Sequence, residues 1–481
     1  MRPSSVTVPA GLTSLCQVDA LHRAARTHGR GYPDIVRGFY GDYLAAPDVV
    51  AKPRTDHDVM RVLEWADSAD LTVVPYGGGT SVVGGVARPA EAREGVVTLD
   101  VGAMDEVTEV QTSSLLAHIQ AGATGPRLEA QLATHGLTLR HYPQSFEFST
   151  LGGWIATRAG GHFATRYTHI DDLTHAVTMI SPAGRVDTLD VPASGAGPDP
   201  CRVVLGSEGA LGVITSAVMR VRPRPRYRSK VSVHFSTFAS GLAAVRDIVQ
   251  SGLEPSNCRL LDPVEAVIHG VAFGPAVLLL AFESAHHPTG PSLAPCVAIC
   301  QQHGGTMPAP PVHTEDGAEG RTDDGGAWRK AFFEAPYLQS SLVTLSVLAD
   351  TFETCCTWDR FDALHADVDQ TMNQALRDVC GGGVVACRLS HVYSDGPAPY
   401  YTFIGRARRG SEIEQWRELK AAASEALLRH RATITHHHAV GRVHQPWYER
   451  QLSPAMHRAF AAMKSAMDPA WRLNPGVLWR R

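Results

Sequence analysis

The chain has 481 residues, 44% of them hydrophobic and 19% charged, which is enough apolar material for about two to four domain cores and too little charge for a disordered chain. A formal net charge of -4 excludes a global basic field for nucleic acid. The nine cysteines include no C-x-x-C pair, so they read as reduced, buried thiols and not as a zinc site or disulfide framework.

The opening MRPSSVTVPAGLTSL lacks the apolar core of a signal peptide. The longest apolar run, Ala276 to Phe282, is far short of the ~20 residues that span a bilayer. A cytoplasmic protein without a membrane span is expected. Residues 1–44 read as an N-terminal segment. From 45 to 225 short β signals alternate with helical stretches: LTVVPY (71–76), GVVTLDV from Gly95, LLAHIQAGA (115–123) and VITSAVMRV (213–221). Pro126 opens a helix with Leu128 and Leu132 four apart. Ser149 or Thr150 caps another over Leu151–Thr157.

The stretch RPRPRYRSK (222–230) cannot continue a central strand and reads as a domain boundary. A second domain, 226–430, begins with strand VSVHF. A helix follows over Phe238–Gln250, with Leu242, Val245 and Val249 on one face. Strand AVLLLAFES (276–284) and a helix near 292–303 come next. The stretch 303–327 reads as a mobile loop, and LVTLSVLAD as a strand. A long helix from about Thr357 carries Phe361, Leu364, Val368, Met372 and Leu376 at spacings of three and four. This alternation predicts a sheet covered by helices on one side. After a helix over 411–430, a segment 431–481 holds THHHAVGRVHQPW, a further helix and the Asn474-Pro475-Gly476 turn.

Three Gly-rich segments suit an anion. In Val74-Pro75-Tyr76-Gly77-Gly78-Gly79-Thr80-Ser81, a strand runs into glycines whose N–H groups can approach a pyrophosphate, with hydroxyl donors beside them. The spacing is neither G-x-G-x-x-G nor a Walker loop. Tyr142 to Gly161 places hydroxyls and Gly pairs where a helix begins. Val204 to Thr215 joins strands through a Gly-rich turn. Together they point to a large phosphate-bearing cofactor.

The segments PYGGGTS, FEFSTLGGW, TRAGG and GSEGALGVIT resemble the PCMH-type flavin-binding domain of the vanillyl-alcohol-oxidase family. The similarity is greatest to its alkyldihydroxyacetonephosphate synthases and bacterial FAD-linked oxidases. It continues through DTFETCCTWDRF, ACRLSHVYSDG and THHHAVG to the tail. The resemblance implies a two-domain α+β flavoprotein: an FAD-binding domain, and an α/β cap domain for substrate, with the C-terminal segment completing the active site. FAD would lie along Pro75, Tyr76, Gly77, Gly78, Gly79, Thr80 and Ser81. It would continue along Gln144, Ser145, Phe146, Glu147, Phe148, Ser149 and Thr150, and along Thr157, Arg158, Ala159 and Gly160. The fourth stretch is Glu208, Gly209, Ala210, Leu211, Gly212, Val213 and Ile214. No His or Cys stands in the Gly loop, so non-covalent FAD is expected.

Tyr400 matches the proton-abstracting tyrosine of the synthases, and Arg388 their substrate-binding arginine. A tyrosine of ordinary pKa near 10 needs cationic or imidazole neighbours to act as a base. His436, His437 and His438 match the family's three-His loop and can polarise a substrate oxygen or carry protons. In a strand-like segment the outer two share a face. No metal site is read. Two positions depart from the synthases: Gln339 replaces an arginine and Gln144 an acid. The expected function is therefore oxidation of a hydroxyl- or amine-bearing carbon of a small anion by hydride transfer to the flavin. The alternatives are alkyl-for-acyl exchange without net redox, and a non-catalytic flavin-binding protein. The electron acceptor is unassigned, and a homodimer is allowed.

Overall fold

The computed structural model describes residues 1–93, 95–167, 169–316, 334 and 337–480. The chain divides into two compact units: 1–160, 169–222 and 437–481 form the first, and 161–168 with 223–436 the second. Among the described residues no helix is long and apolar enough to cross a membrane.

In the first unit, Val49–Ala51, Val96–Asp100 and Thr72–Tyr76 pair in parallel, with Cys16–Gln17 antiparallel at one edge. The helix Asp56–Ser68 covers them, because Val59, Val62, Leu63 and Ala66 fall on one stripe. Thr55 caps it, its Oγ1 accepting the Asp58 N–H at 3.1 Å. A second, antiparallel sheet runs in the order Val107–Gln111, Leu116–Gln120, Val213–Arg220, Thr174–Ser181, Gly184–Asp187. One core joins both sheets and includes Leu99, Ile119, Trp154 and Leu211. The tail closes this unit: Val73 N–H donates to Arg472 O at 3.0 Å, Asn474 N–H donates to Val73 O at 2.8 Å, and Leu473 enters the core.

The second unit is built on a seven-stranded antiparallel sheet. Its order is Val312–Glu315, Tyr227–Phe235, Ala276–Ser284, Asn257–Leu261, Gly383–Val392, Pro397–Arg406, Val347–Glu353. Strand alternation divides Ala276–Ser284 between two cores. Leu278, Leu280 and Phe282 pack with Val245 and Phe361, whereas Val277 and Leu279 pack with Leu261 and Ala266. The helix Phe238–Gln250 has the expected bounds, and Trp358–Cys380 buries all five expected apolar residues. Each such side chain contributes about 1.5–3 kcal/mol of burial.

Three local expectations change. Helices do not cover one face alone, since the short helix Pro263–Ile268 packs Ala266 against the other. Within 303–327, Val312–Glu315 is an edge strand paired with Tyr227–Lys230, and 317–327 lies outside the described residues. Its pattern of Val, His, Thr and Glu suits an edge, where polar residues are tolerated. In LVTLSVLAD, residues 342–344 are helical and the strand begins at Val347. Ser346, at φ 59°, turns the chain between the two, so tertiary context overrides β propensity there.

Candidate active site

Four separate stretches of the first unit converge. A Cβ on Gly77 would overlap the Thr150 hydroxyl, and one on Gly78 would overlap the carbonyl of Phe148. Gly79 has φ +67°, and there a side chain would strike the Tyr76 hydroxyl. The Gly loop therefore lies directly against 148–150. Of the three glycines only Gly79 needs the left-handed region, so the requirement at Gly77 and Gly78 is close approach to their own chain. Gly209, φ +74°, sets its missing Cβ 2.8 Å from Pro75 Cγ. Glu208 N–H donates to Ala156 O at 2.9 Å, which ties the fourth stretch to the helix Leu151–Thr157.

That helix begins as the sequence indicates, with Thr150 Oγ1 accepting the Gly153 N–H at 3.4 Å. Trp154 Nε1 donates to Ser149 Oγ at 2.7 Å, and Ser149 Oγ to Ser145 O at 2.9 Å, fixing the turn over Gln144–Thr150. Phe146 stacks on Tyr142 with ring centroids 4.5 Å apart. Glu147 and Phe148 are exposed, and Gln144 is half-buried. Thr157 Oγ1 donates to Gly153 O at 2.8 Å. Arg158 ends the helix at φ 52° and pairs through Nε with Asp171 Oδ2 at 2.8 Å, while Ala159 N–H donates to Trp154 O at 3.0 Å; Gly160 follows, buried.

Ser81 Oγ is engaged by the Gly85 N–H at 2.9 Å, and Thr80 is half-buried beside it. Ala210, Leu211, Val213 and Ile214 are core residues, and Gly212 packs on Met179, so this stretch supports the cradle by packing. Glu208 has a structural duty as well. Its carboxylate accepts the N–H groups of Val440 and Gly441, both at 2.8 Å, and burial pushes its pKa up to about 7 against those bonds. A loop whose glycines exclude side chains, with the half-buried hydroxyls of Thr80 and Ser81 beside them, fits an extended diphosphate cofactor.

In the second unit, register aligns four residues across four strands. Leu261 pairs with Arg388, Arg388 with Tyr400, and Tyr400 with Glu353. Directly paired residues share a face, so Arg388, Tyr400 and Glu353 lie on one side of the sheet. The other side is apolar there, with Leu260, Leu389, Tyr401 and Phe352 buried. Arg388 Cζ stands 3.7 Å from the Tyr400 ring centroid. The guanidinium pairs with the fully buried carboxylate of Glu265. Burial would raise the Glu265 pKa, but Arg388 and His269 outweigh it and bring it to about 2. Arg388 is thus already matched by an acid, which sequence reading missed, because a lone Glu on a short helix carries no signal.

Tyr400 Oη donates to Thr351 Oγ1 at 2.9 Å. Burial raises its pKa above the ordinary value, with the Arg388 charge and the Thr351 bond opposing. The tyrosine is therefore a phenol at neutral pH, not the acidified group the sequence reading sought. Lys420 Nζ donates to Thr351 O at 2.7 Å. A bulge after Leu389 puts His391 opposite Ala398, on the Tyr400 side. The His391 ring lies 5.0 Å from that of His436, whose Nε2 meets Tyr393 Oη at 2.7 Å. Glu353 holds this segment: its carboxylate accepts from Thr435 Oγ1 and from the His436 N–H, both at 2.6 Å.

The three-His run is a bend and not a strand. His437 and His438, in the first unit, touch edge to face with centroids 4.9 Å apart, so alternate faces do not apply. Gln339 lies on the helical stretch 337–344, with Nε2 donating to Ala349 O at 3.4 Å.

The family model for the C-terminal domain of FAD linked oxidases matches residues 224–478, and that for an FAD binding domain matches 47–190. The chain belongs to the FAD-linked oxidase family. It is similar to alkyldihydroxyacetonephosphate synthase of Dictyostelium discoideum, 29% identical over 96% of this chain and 78% of that one. It is also similar to the glycolate oxidase subunit GlcD of Bacillus subtilis, 25% identical over 91% of this chain and 90% of the relative. A solved structure of alkyldihydroxyacetonephosphate synthase superimposes with a TM-score of 0.80 at 25% identity, covering 96% of this chain and 82% of that chain. These relatives are enzymes. The cofactor is FAD, and the chain is an FAD-linked oxidase or an alkyldihydroxyacetonephosphate synthase-like transferase.

Proposed function

We propose that the chain catalyses alkyl-for-acyl exchange on a small phosphate-bearing ketone ester, the reaction type of the synthases it resembles over nearly its whole length. The carrying observation is the stacked Arg388–Tyr400 pair on one face of the second sheet. This reading replaces the hydroxyl oxidation expected from the sequence as the first choice.

FAD would be held non-covalently by Pro75–Ser81, Gln144–Thr150, Thr157–Gly160 and Glu208–Ile214. Bound FAD supplies a ring that accepts and returns an electron pair. Arg388 takes the anionic headgroup with its planar fork. Tyr400, once its own proton has passed to solvent, takes the proton from the carbon bearing the ester. The acyl group leaves as a carboxylic acid, the oxygen of a long-chain alcohol takes its place, and Tyr400 returns the proton. One C–O bond breaks and one forms, with no net redox change. His436, steadied by Glu353 and Tyr393, carries protons at the substrate oxygen.

The second reading is a two-electron oxidation of a hydroxyl- or amine-bearing carbon, and Gln339 favours it. The synthases carry a cation there, and an amide offers no charge to a phosphate. Anaerobic mixing with acyl-dihydroxyacetone phosphate and a fatty alcohol tests both. Transient bleaching of the flavin, recovering as ether product forms, supports exchange. No bleaching with this pair, together with lasting bleaching by a hydroxy acid, overturns exchange in favour of oxidation.

A further inference from the structure

The segment before residue 47 precedes both family models, and neither assigns it a role. It nonetheless packs its backbone directly against the end of the Gly loop. Arg30 N–H donates to Ser81 O at 2.8 Å. A Cβ on Gly29 would overlap that same Ser81 carbonyl, and a Cβ on Gly31 would stand 2.7 Å from Val82 O. Both glycines are buried, and Asp34 Oδ2 steadies the turn by accepting the Gly31 N–H at 3.3 Å. On the strand side of the loop, Tyr76 Oη donates to Ala25 O at 3.4 Å, and Arg26 Cζ lies 6.0 Å from the Tyr76 ring centroid. Arg26 is itself pinned to Asp100, Nη2 to Oδ2, at 2.8 Å. The Tyr76 ring crosses Gly79, whose Cβ it would exclude.

We infer that Ala25–Gly31 is a clamp that holds the loop Tyr76–Val82 in its FAD-binding shape, with Gly29 and Gly31 as its positioning residues. The glycines are needed because the two backbones touch where a side chain would stand. The clamp meets the loop at Ser81 and Val82, whereas Thr150 and Phe148 pack on Gly77 and Gly78. A loop pressed between two backbones loses little freedom when a cofactor binds, so the clamp acts on affinity through preorganisation.

The test compares Gly29→Val with Gly38→Val. Gly38 lies in the same N-terminal segment, and a Cβ there meets nothing within 4 Å. Each deflavinated protein is titrated with FAD by flavin fluorescence and melted without FAD. The clamp predicts a Kd raised at least about tenfold in Gly29→Val, the equivalent of ~1.4 kcal/mol, with Gly38→Val unchanged. Gly29→Ala carries the same added Cβ with less bulk and serves if Gly29→Val does not fold. Parent FAD affinity in a folded Gly29 variant overturns the proposal. So does a lowered melting point of the apo-protein with unchanged FAD affinity, which would mark the segment as merely structural.

Discussion

The guanidinium of Arg388 lies over the ring of Tyr400, its Cζ 3.7 Å from the centroid, while Glu265 holds the same guanidinium. A desolvated cation over an aromatic face is worth about 2 kcal/mol. Here it also orients the fork. With one side stacked on Tyr400 and Nη1 on Glu265, Arg388 has few geometries left in which to meet an anion.

Arg388→Lys should therefore raise KM for an anionic substrate more than it lowers kcat. A lysine keeps the charge but neither stacks flat nor presents two parallel donors. Loss of a charged hydrogen bond costs about 1.5–3 kcal/mol, or about 10- to 150-fold. Steady-state kinetics with an unchanged KM would remove Arg388 from substrate binding.

Glu265→Leu should destabilise the protein by about 3–5 kcal/mol, because it leaves the buried Arg388 charge uncompensated. Adding Arg388→Met should recover most of the loss, since both charges are then gone. Denaturant unfolding of the two single variants and the double reads this coupling. Additive losses would show that the pair acts independently.

Gly78→Val should give largely apo-protein. Its side chain would collide with the carbonyl of Phe148 and drive apart two of the stretches proposed to hold FAD. Flavin absorbance per mole of protein measures this, and full occupancy would sink the cradle. Acid precipitation of the parent should release the yellow colour, as non-covalent FAD requires.

Glu208 should set a pH dependence. Its folded pKa of about 7 lies above the unfolded carboxyl value of about 4.3, so the folded state binds more protons between them. Its stabilising contribution is complete below pH ~4.3 and lost as pH rises through 7. In the apo-protein, Glu208→Gln should flatten the fall in melting temperature over that window relative to the parent. Parallel melting curves across the window would contradict this.

The fold was legible where one element buries one stripe. Phe238–Gln250 and the apolar series from Phe361 to Leu376 follow from spacing alone. The Gly-loop stretches were legible as motifs, but their mutual packing was not, since Gly78 against Phe148 is a contact across some seventy residues. The Arg388–Tyr400 pairing depends on strand register and on the bulge after Leu389, which are long-range properties. Glu353 and His391 lay inside segments already read as family motifs, yet nothing local distinguished them from neighbours. Thr351 lay inside the same motif as Glu353, and Glu265 carried no signal, because a lone acid acquires meaning only from what faces it. The Tyr400 pKa runs against expectation for the same reason. Burial, which is invisible in the sequence, outweighs the arginine that the motif supplies.

The central claim is that Tyr400 moves the substrate proton in an FAD-loaded enzyme. Its raised pKa means that the reactive phenolate grows with pH, so flavin bleaching by acyl-dihydroxyacetone phosphate should accelerate across pH 7–10. The most direct measurement is anaerobic stopped-flow bleaching of Tyr400→Phe against the parent. Losing one hydroxyl should leave FAD content intact, slow bleaching by about 10²–10⁴ and abolish the rise with pH. Bleaching at the parent rate with the parent pH profile would make Tyr400 a packing residue and contradict the account.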